Sequence, residues 1–395
     1  MKPVAPVQDE NFMRMALDLA WQGRGWVGPN PMVGAVVVRD GEIVGRGYHL
    51  EVGKPHAEVL ALEDAGERAR GATLYVTLEP CNHFGRTPPC TTRVIEAGIA
   101  RVVYASRDAN PRTAGQARPV LEAAGLAVEE GLLADAAAEL NAPFFKYIST
   151  GQPFVVCKIA MSLDGKIATA TGHSRWISGP EARDLVQQWR ATYGAVMVGA
   201  GTIVADDPQL TCRLAGAHSP WRIVVDPQAR TSPAARWIGD DGRAIVAVSE
   251  SAPPARVASL QASGATALVC PEFSDGGART LDLRALLADL ARREIPSVLI
   301  EGGGGLNATV IRQGIVDRLR FFVSPMLVGG RSAPTPMDGL DIQDLSEAIG
   351  ARFLRVERVG RDLLIEADVP DPTRAQDLAT EGVEPAVFPP RTSFC

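Results

Sequence analysis

The residues of this chain with the clearest chemical capacity are His56-Ala57-Glu58, Pro80-Cys81 and Cys90. One imidazole and two thiolates make a ligand set suited to Zn2+, with a fourth position left for water. Water held by such an ion becomes hydroxide near neutral pH, a nucleophile made without a strong base. Glu58, two residues from His56, is then placed to shuttle protons between that water and a departing amine. A second group stands late in the chain, where Val298-Leu299-Ile300-Glu301 runs into Gly302-Gly303-Gly304-Gly305 and then a helical pattern. A strand, a loop without side chains and a helix N-terminus offer backbone N–H groups to a dinucleotide pyrophosphate. The fingerprint G-x-G-x-x-G is not met, since Asn307 holds its third glycine position, and a plain structural turn explains the glycines equally well.

These groups need elements to hold them. Phe12–Trp21 carries an apolar stripe at helical spacing. Gly34–Val38 and Ile43–Tyr48 read as strands joined by a tight turn at Asp40-Gly41. His56–Arg70 reads as a helix, Thr73–Leu78 as a buried strand, Arg93–Ala97 as a helix and Val102–Ser106 as a strand, with Val120–Ala124 and Val128–Gly131 continuing the alternation. This order predicts a three-layer α/β domain over roughly residues 8–145. Thr150-Gly151-Gln152-Pro153 is the expected linker. Beyond it strands are expected at 154–160, 195–198, 221–225, 244–249, 266–269, 297–301, 319–324 and 363–367, with helices at 181–192 and 306–313. The expected divisions are 1–149, 153–369 and a proline-rich disordered tail, 370–395.

Composition narrows the classes further. The chain has 395 residues, 46% of them hydrophobic and 22% charged, which describes a globular protein of two domains. Forty basic against forty-six acidic residues give a net charge of −6, which argues against a nucleic-acid partner. No run approaches about eighteen apolar residues, so no membrane span is expected. Asp9, Glu10, Arg14 and Asp18 near the N-terminus disfavour a signal peptide. Six cysteines are too few for a disulfide scaffold, and the cytoplasm is the expected compartment. Self-association is left open.

Zinc nucleobase deaminases carry H-x-E followed by P-C-x-x-C, with the glutamate outside the ligand shell. Here eight residues separate Cys81 from Cys90. The segment Thr77-Leu78-Glu79-Pro80-Cys81-Asn82-His83-Phe84-Gly85-Arg86-Thr87-Pro88-Pro89-Cys90 resembles the deaminase half of the bifunctional riboflavin-biosynthesis enzymes, as do Pro29-Asn30-Pro31-Met32-Val33-Gly34 and Gly47-Tyr48-His49. Lys158-Ile159-Ala160-Met161-Ser162-Leu163-Asp164-Gly165-Lys166, Ser174-Arg175-Trp176-Ile177-Ser178, Gly199-Ala200-Gly201-Thr202-Ile203 and Ala205–Thr211 look like the reductase half of the same family. The resemblance implies a cytidine-deaminase-like domain followed by a dihydrofolate-reductase-like α/β domain. It implies Zn2+ and NADPH as cofactors. The implied reactions are deamination of diaminohydroxyphosphoribosylaminopyrimidine and reduction of the ribosyl group of the resulting aminouracil to ribityl, with these phosphoribosyl pyrimidines as the small-molecule partners.

By the same resemblance His56, Cys81 and Cys90 hold the metal, Glu58 is catalytic, and Asn30, His49 and His83 line the pyrimidine pocket. Ala160, Trp176, Thr202, Asp206, Gly303, Gly304 and Gly305 line the NADPH site, and Ser174, Arg190, Leu210, Arg213 and Glu301 the substrate site. Arg190 and Arg213 offer forked donors for a ribose phosphate, against the plainer reading of ordinary surface ion pairs. Other readings stand beside these. His83 is the available fourth ligand of a closed, structural zinc site, and Asn30 and His49 could be turn and core residues. Cys157, Cys212 and Cys270 read as small buried hydrophobes, Cys395 has no assigned role, Glu63 and Glu67 read as a solvated helix face, and Asp164-Gly165 as a turn. No residue is named as proton donor for the reduction. The rival functions are a chain retaining one of the two activities, and a tRNA or nucleoside deaminase relative with a structural C-terminal domain.

Overall fold

Alternate residues of the first strand, β1 (Gly34–Arg39), are buried in opposite directions, and this sets the layers of the first unit. The computed structural model describes residues 6–83, 88–110, 113–275 and 278–370, so the expected tail from residue 371 lies outside the described residues. Two compact units divide the chain, Met1–Gln152 and Pro153–Cys395.

In the first unit Val36 and Val38 share a core with Met13 and Ala16 of α1 (Pro6–Ala20). β2 (Glu42–Tyr48) returns through Asp40 and Gly41, both at positive φ (53° and 84°). Ala35 and Val37 pack the other way, against Ala57 and Ala61 of α2 (Ala57–Ala65). Helix α2 can sit this low because Gly45 and Gly47 lack side chains. A Cβ on them would lie 2.2 Å from the Ala61 carbonyl oxygen and 2.4 Å from that of Ala57. There follow β3 (Thr73–Leu78), α3 (Cys90–Glu96), β4 (Arg101–Ser106), α4 (Ala117–Ala123), β5 (Ala127–Glu130), α5 (Ala134–Leu140) and α6 (Ala142–Thr150). The sheet runs β2-β1-β3-β4-β5, antiparallel at its first two joints and parallel at the last two.

The second unit comprises β6 (Phe154–Ser162), α7 (Pro180–Thr192), β7 (Ala195–Gly199), α8 (Ala200–Asp206), β8 (Trp221–Val225), β9 (Ala244–Ser249), α9 (Pro254–Ala262), β10 (Thr266–Cys270), the hairpin β11 (Glu272–Asp275) and β12 (Ala278–Leu281), α10 (Leu283–Arg292), β13 (Ser297–Ile300), α11 (Gly304–Arg312), β14 (Arg318–Ser324), β15 (Arg352–Val359) and β16 (Asp362–Asp368). Nine strands form one sheet in the order β10-β9-β8-β7-β13-β6-β14-β16-β15. From β10 to β14 every joint is parallel, and β16 is antiparallel to both its neighbours. Inward-facing Val155, Cys157, Met197 and Ile223 pack with the apolar stripe of α10. On the sheet, Phe322 stacks on Trp189 of α7 with ring centroids 5.4 Å apart.

Several boundaries differ from the sequence reading. The helix expected at 56–70 stops at Ala65, where Gly66 takes a positive φ (53°), and a 3-10 turn covers Gly66–Ala69. The helix expected at 93–97 begins at Cys90. Helices α5, α6, α8, α9 and α10 and strands β11, β12 and β15 have no counterpart in that reading. For α10 the signal is in the sequence, since Leu283, Leu286, Leu287 and Leu290 hold helical spacing behind Asp282, whose carboxylate accepts from the N–H of Arg284 and Ala285. For β15 it is not, because its exposures follow no clean alternation at the edge of the sheet.

Candidate active sites

In the first unit two helix N-termini and one strand end converge. His56 is the N-cap of α2, Cys90 is the first residue of α3, and Cys81 follows β3 by three residues. His56 Nδ1 lies 3.2 Å from Cys90 Sγ and 3.5 Å from Cys81 Sγ. All three donor atoms are within 4.8 Å of one another. Donors about 2.0–2.3 Å from a shared tetrahedral zinc would be about 3.3–3.8 Å apart, so the group fits the ion. The Cys90 N–H also donates to Cys81 Sγ at 3.3 Å. Donation from Cys90, with His56 beside it, pushes the Cys81 thiol down to about 4, and donation to Cys81 raises His56 to about 9. The Cys90 thiol is pushed up by its own donation to Cys81 and by burial.

Glu58, in the first turn of α2, is 3% exposed and hydrogen-bonded to the Cys90 thiol. Burial, reinforced by the negative Cys81, raises its pKa above the usual carboxylate range. His49 stands edge-on to His56, ring centroids 5.6 Å apart, with Nδ1 3.2 Å from the Pro55 carbonyl oxygen. Asn30 Nδ2 lies 3.4 Å from His49 Nε2, so Asn30 and His49 do belong to this neighbourhood. His83 is exposed and outside the three-donor group. Two residues to which the sequence reading gives no role position the site. Asn141 exchanges two hydrogen bonds with the Met32 backbone (2.8 and 2.9 Å), fixing the segment that carries Asn30. Glu79, buried two residues before Cys81, accepts from the N–H groups of Asp108, Gly115 and Ala117. Both contacts span dozens of residues, and no local pattern announces them.

In the second unit the candidate residues gather at the carboxyl ends of the adjacent parallel strands β7, β13 and β6, where open α/β sheets bind ligands. Ala160 lies near the end of β6, Glu301 directly follows β13, and Thr202 and Asp206 lie on α8 directly after β7. Arg175 donates to the Asp206 side chain and carbonyl, both at 3.1 Å, which brings the segment of Ser174 and Trp176 alongside. Trp176 itself is 61% exposed, a flat wall with the Arg183 guanidinium 4.7 Å from its ring centroid.

The glycine loop is not uniform. A Cβ on Gly303 would come no nearer than 4.0 Å to Thr202 Oγ1, and one on Gly305 would meet nothing within 4 Å. These two leave the cradle a dinucleotide backbone needs. Gly304 does not, because its Cβ would sit 2.4 Å from the Thr335 carbonyl oxygen. Its bareness therefore serves packing of α11 on the Thr335–Asp338 backbone, whatever its backbone N–H faces. Asn307, in the third glycine position, is buried and donates to the Pro336 carbonyl at 3.0 Å.

Arg190 Nε and Nη2 meet the two oxygens of Glu301 at 2.6 and 3.0 Å, and Nη1 donates to the Thr211 carbonyl at 3.1 Å. The fork expected to face a phosphate is thus largely engaged within the protein. Burial would raise the Glu301 pKa, but Arg190, with Lys158 and Arg213 further off, holds it below the usual range. Leu210 is buried at φ 58°, a conformation leucine rarely takes, and the chain turns there to run beside α7. The Arg213 N–H donates to Gln187 Oε1 at 2.9 Å. Lys158 is absent from the sequence reading as a site residue. Burial lowers the pKa of its amine, opposed by Glu301. Its signal was its place in the Lys158–Lys166 motif.

Comparison with known proteins agrees with this division. The pattern of the cytidine and deoxycytidylate deaminase zinc-binding region matches residues 6–106, and that of the RibD C-terminal domain matches residues 153–365. The riboflavin biosynthesis protein RibD of Actinobacillus pleuropneumoniae is 43% identical over 367 residues, 92% of this chain and 96% of the relative. The protein of the same name from Escherichia coli is 39% identical, over 91% of this chain and 99% of its own. Among solved structures, Acinetobacter baumannii RibD superposes with a TM-score of 0.81 at 37% identity, covering 92% of this chain and 99% of that one. A Thermotoga maritima diaminohydroxyphosphoribosylaminopyrimidine deaminase/5-amino-6-(5-phosphoribosylamino)uracil reductase gives 0.80 at 36% identity, covering 93% of this chain and all of the other.

Proposed function

Because the chain belongs to the RibD family of riboflavin biosynthesis proteins, we propose that its residues divide two successive reactions on one phosphoribosyl pyrimidine as follows. The enzyme is bifunctional, a zinc-dependent deaminase in its first half and an NADPH-dependent reductase in its second. The observation that carries the residue assignment is the three-donor group His56, Cys81 and Cys90 with the buried Glu58 carboxyl against it.

In the deaminase unit zinc, when bound, supplies Lewis acidity that makes water nucleophilic at neutral pH. His56, Cys81 and Cys90 hold the ion. Glu58 takes a proton from the attacking water and delivers it to the 2-amino nitrogen. The C–O bond forms first, and the C–N bond breaks as the carbonyl is formed, so that the protonated amine leaves as ammonia. His49 and Asn30 border the pyrimidine, and the burial of Glu58 keeps its proton transfers away from bulk water.

In the reductase unit NADPH, when bound, supplies the hydride that C1′ of the ribosyl group receives. Gly303 and Gly305 let its backbone approach α11, Thr202 and Asp206 border it, and Trp176 offers a flat face. Arg190 orients Glu301 toward the sugar, and Arg213 is the guanidinium left to meet the phosphate. The opened sugar needs one proton on its ring oxygen for each hydride received.

We place both steps in the cytoplasm, in keeping with thiol ligands that must stay reduced. Among the described residues no helix is long and apolar enough to cross a membrane. The test is zinc content and turnover on the purified chain, with and without NADPH. About one zinc per chain, deamination without NADPH and reduction only with it are expected. Absence of zinc, or of either activity, would favour a chain retaining one function, and tight RNA retention on a filter at low salt the tRNA-deaminase reading.

A further inference from the structure

Asp164 has no part in either reaction, and it lies exposed in the turn after β6. Its carboxylate is nonetheless fully engaged. Oδ1 accepts from Ser162 Oγ at 2.5 Å and from the Val328 N–H at 3.0 Å, and Oδ2 accepts from the Gly329 N–H at 2.7 Å. The same turn is stitched to the same segment three more times. Leu163 N–H donates to the Met326 carbonyl (2.9 Å), Lys166 Nζ to that of Ala333 (3.1 Å) and Ile167 N–H to that of Pro334 (3.1 Å).

The segment then continues under the first turn of α11. Gly304 lies against the backbone of Thr335 and Asp338, with its Cβ position 2.4 Å from the Thr335 oxygen and 2.9 Å from the Asp338 nitrogen. Asn307 Nδ2 donates to the Pro336 carbonyl at 3.0 Å. Residues 326–338 therefore form a strap with one end tied to the turn of Asp164 and the other seated beneath the glycine loop.

We propose that Asp164 is a positioning residue for the dinucleotide site: by fixing Val328 and Gly329 it holds the strap on which the N-terminus of α11 is seated. This rests on the reading of Gly303–Gly305 as the approach for the NADPH pyrophosphate. Hydrogen bonds from Ser162, then from Val328 and Gly329, hold the Asp164 carboxyl down at about 2, so the clamp stays ionised across the working pH range.

The experiment measures NADPH affinity by titration, with reductase kcat and KM for both ligands, on full-length Asp164→Ala and Asp164→Asn. Charge-assisted bonds of this kind are strong enough that Asp164→Ala should weaken NADPH binding about tenfold. The KM for the deaminated pyrimidine and the deaminase rate should change less than about twofold. Asp164→Asn, which keeps one acceptor oxygen, should fall between. Unchanged NADPH affinity in Asp164→Ala, or equal weakening of both ligands, overturns the proposal. Gly305→Leu separates the premise from the inference, because its side chain would enter the open space of the cradle. If Gly305→Leu leaves NADPH affinity intact, the glycine-loop reading itself is wrong, whatever Asp164→Ala does.

Discussion

Arg190 and Glu301 lie 111 residues apart in the chain and meet fork to fork, their nitrogens and oxygens 2.6 and 3.0 Å apart. The side chains are 14% and 10% exposed, so the pair is largely shielded from water. A guanidinium matches a carboxylate in this geometry as an ammonium cannot. Arg190→Ala, which strands a buried carboxylate, should destabilise the reductase unit by about 3–5 kcal/mol. Arg190→Lys should cost less while still lowering reductase turnover. Denaturant melts of both variants, with deaminase activity as the internal control, measure the difference.

The same pair sets a pH dependence. The Glu301 carboxyl has its folded pKa depressed below the ordinary 4.5. A depressed carboxylate contributes stability that is fully present above its unfolded pKa and drains away as pH falls through the folded one. Reductase-unit stability from this pair should therefore be flat above pH 4.5 and decline below it. In Arg190→Lys, where the depression is smaller, the decline should begin at the same pH but level off sooner and be smaller in total. Melts between pH 3 and 7 would show whether it does.

Glu58→Gln keeps the shape and hydrogen-bonding reach of the side chain but cannot carry a proton. Deamination should fall by at least about a hundredfold, the usual worth of a positioned general acid–base. Zinc content and NADPH-dependent reduction should not change. Metal analysis beside both assays is decisive, since loss of zinc would make Glu58 a ligand.

Metal uptake should release protons. With His56 raised to about 9 and the Cys90 thiol held protonated, both carry a proton at neutral pH, whereas Cys81, at about 4, does not. Zinc binds the deprotonated ligands, so its uptake by chelated protein should release about two protons from them. Calorimetry in buffers of different ionisation enthalpy counts them. Chelation should abolish deamination and leave reduction of deaminated substrate intact.

Gly304→Ala places a methyl group 2.4 Å from a backbone oxygen, where no flexible side chain can yield. Overpacking of this kind costs about 1–3 kcal/mol. NADPH binding should weaken while the deaminase rate holds, as fluorescence titration and the two assays would record.

Much of the fold was legible because it is written in short-range pattern. The strands Thr73–Leu78, Trp221–Val225 and Ala244–Ser249 are runs of β-branched and apolar residues with little else to become. The hairpin at Asp40-Gly41 follows from turn chemistry. The edge strand β15 and the short helix α8 were not legible, because each owes its form to a neighbour. β15 pairs with β16, and α8 caps the end of β7.

Residue chemistry by itself pointed to His56, Cys81 and Cys90 as metal donors and to Glu58 as an acid–base carboxyl, since each is a matter of side-chain type and close spacing, whereas the glycine loop alone suited a plain turn as well as a dinucleotide. Only the folded chain decided which glycine of that loop is open and which is closed. It also decided that Arg190 is engaged by Glu301, and that Asn141 and Glu79 brace segments of the deaminase unit far from them in the chain. The physical reason is range. Spacing along the chain constrains neighbours within a turn or a strand, whereas these contacts join residues brought together by packing.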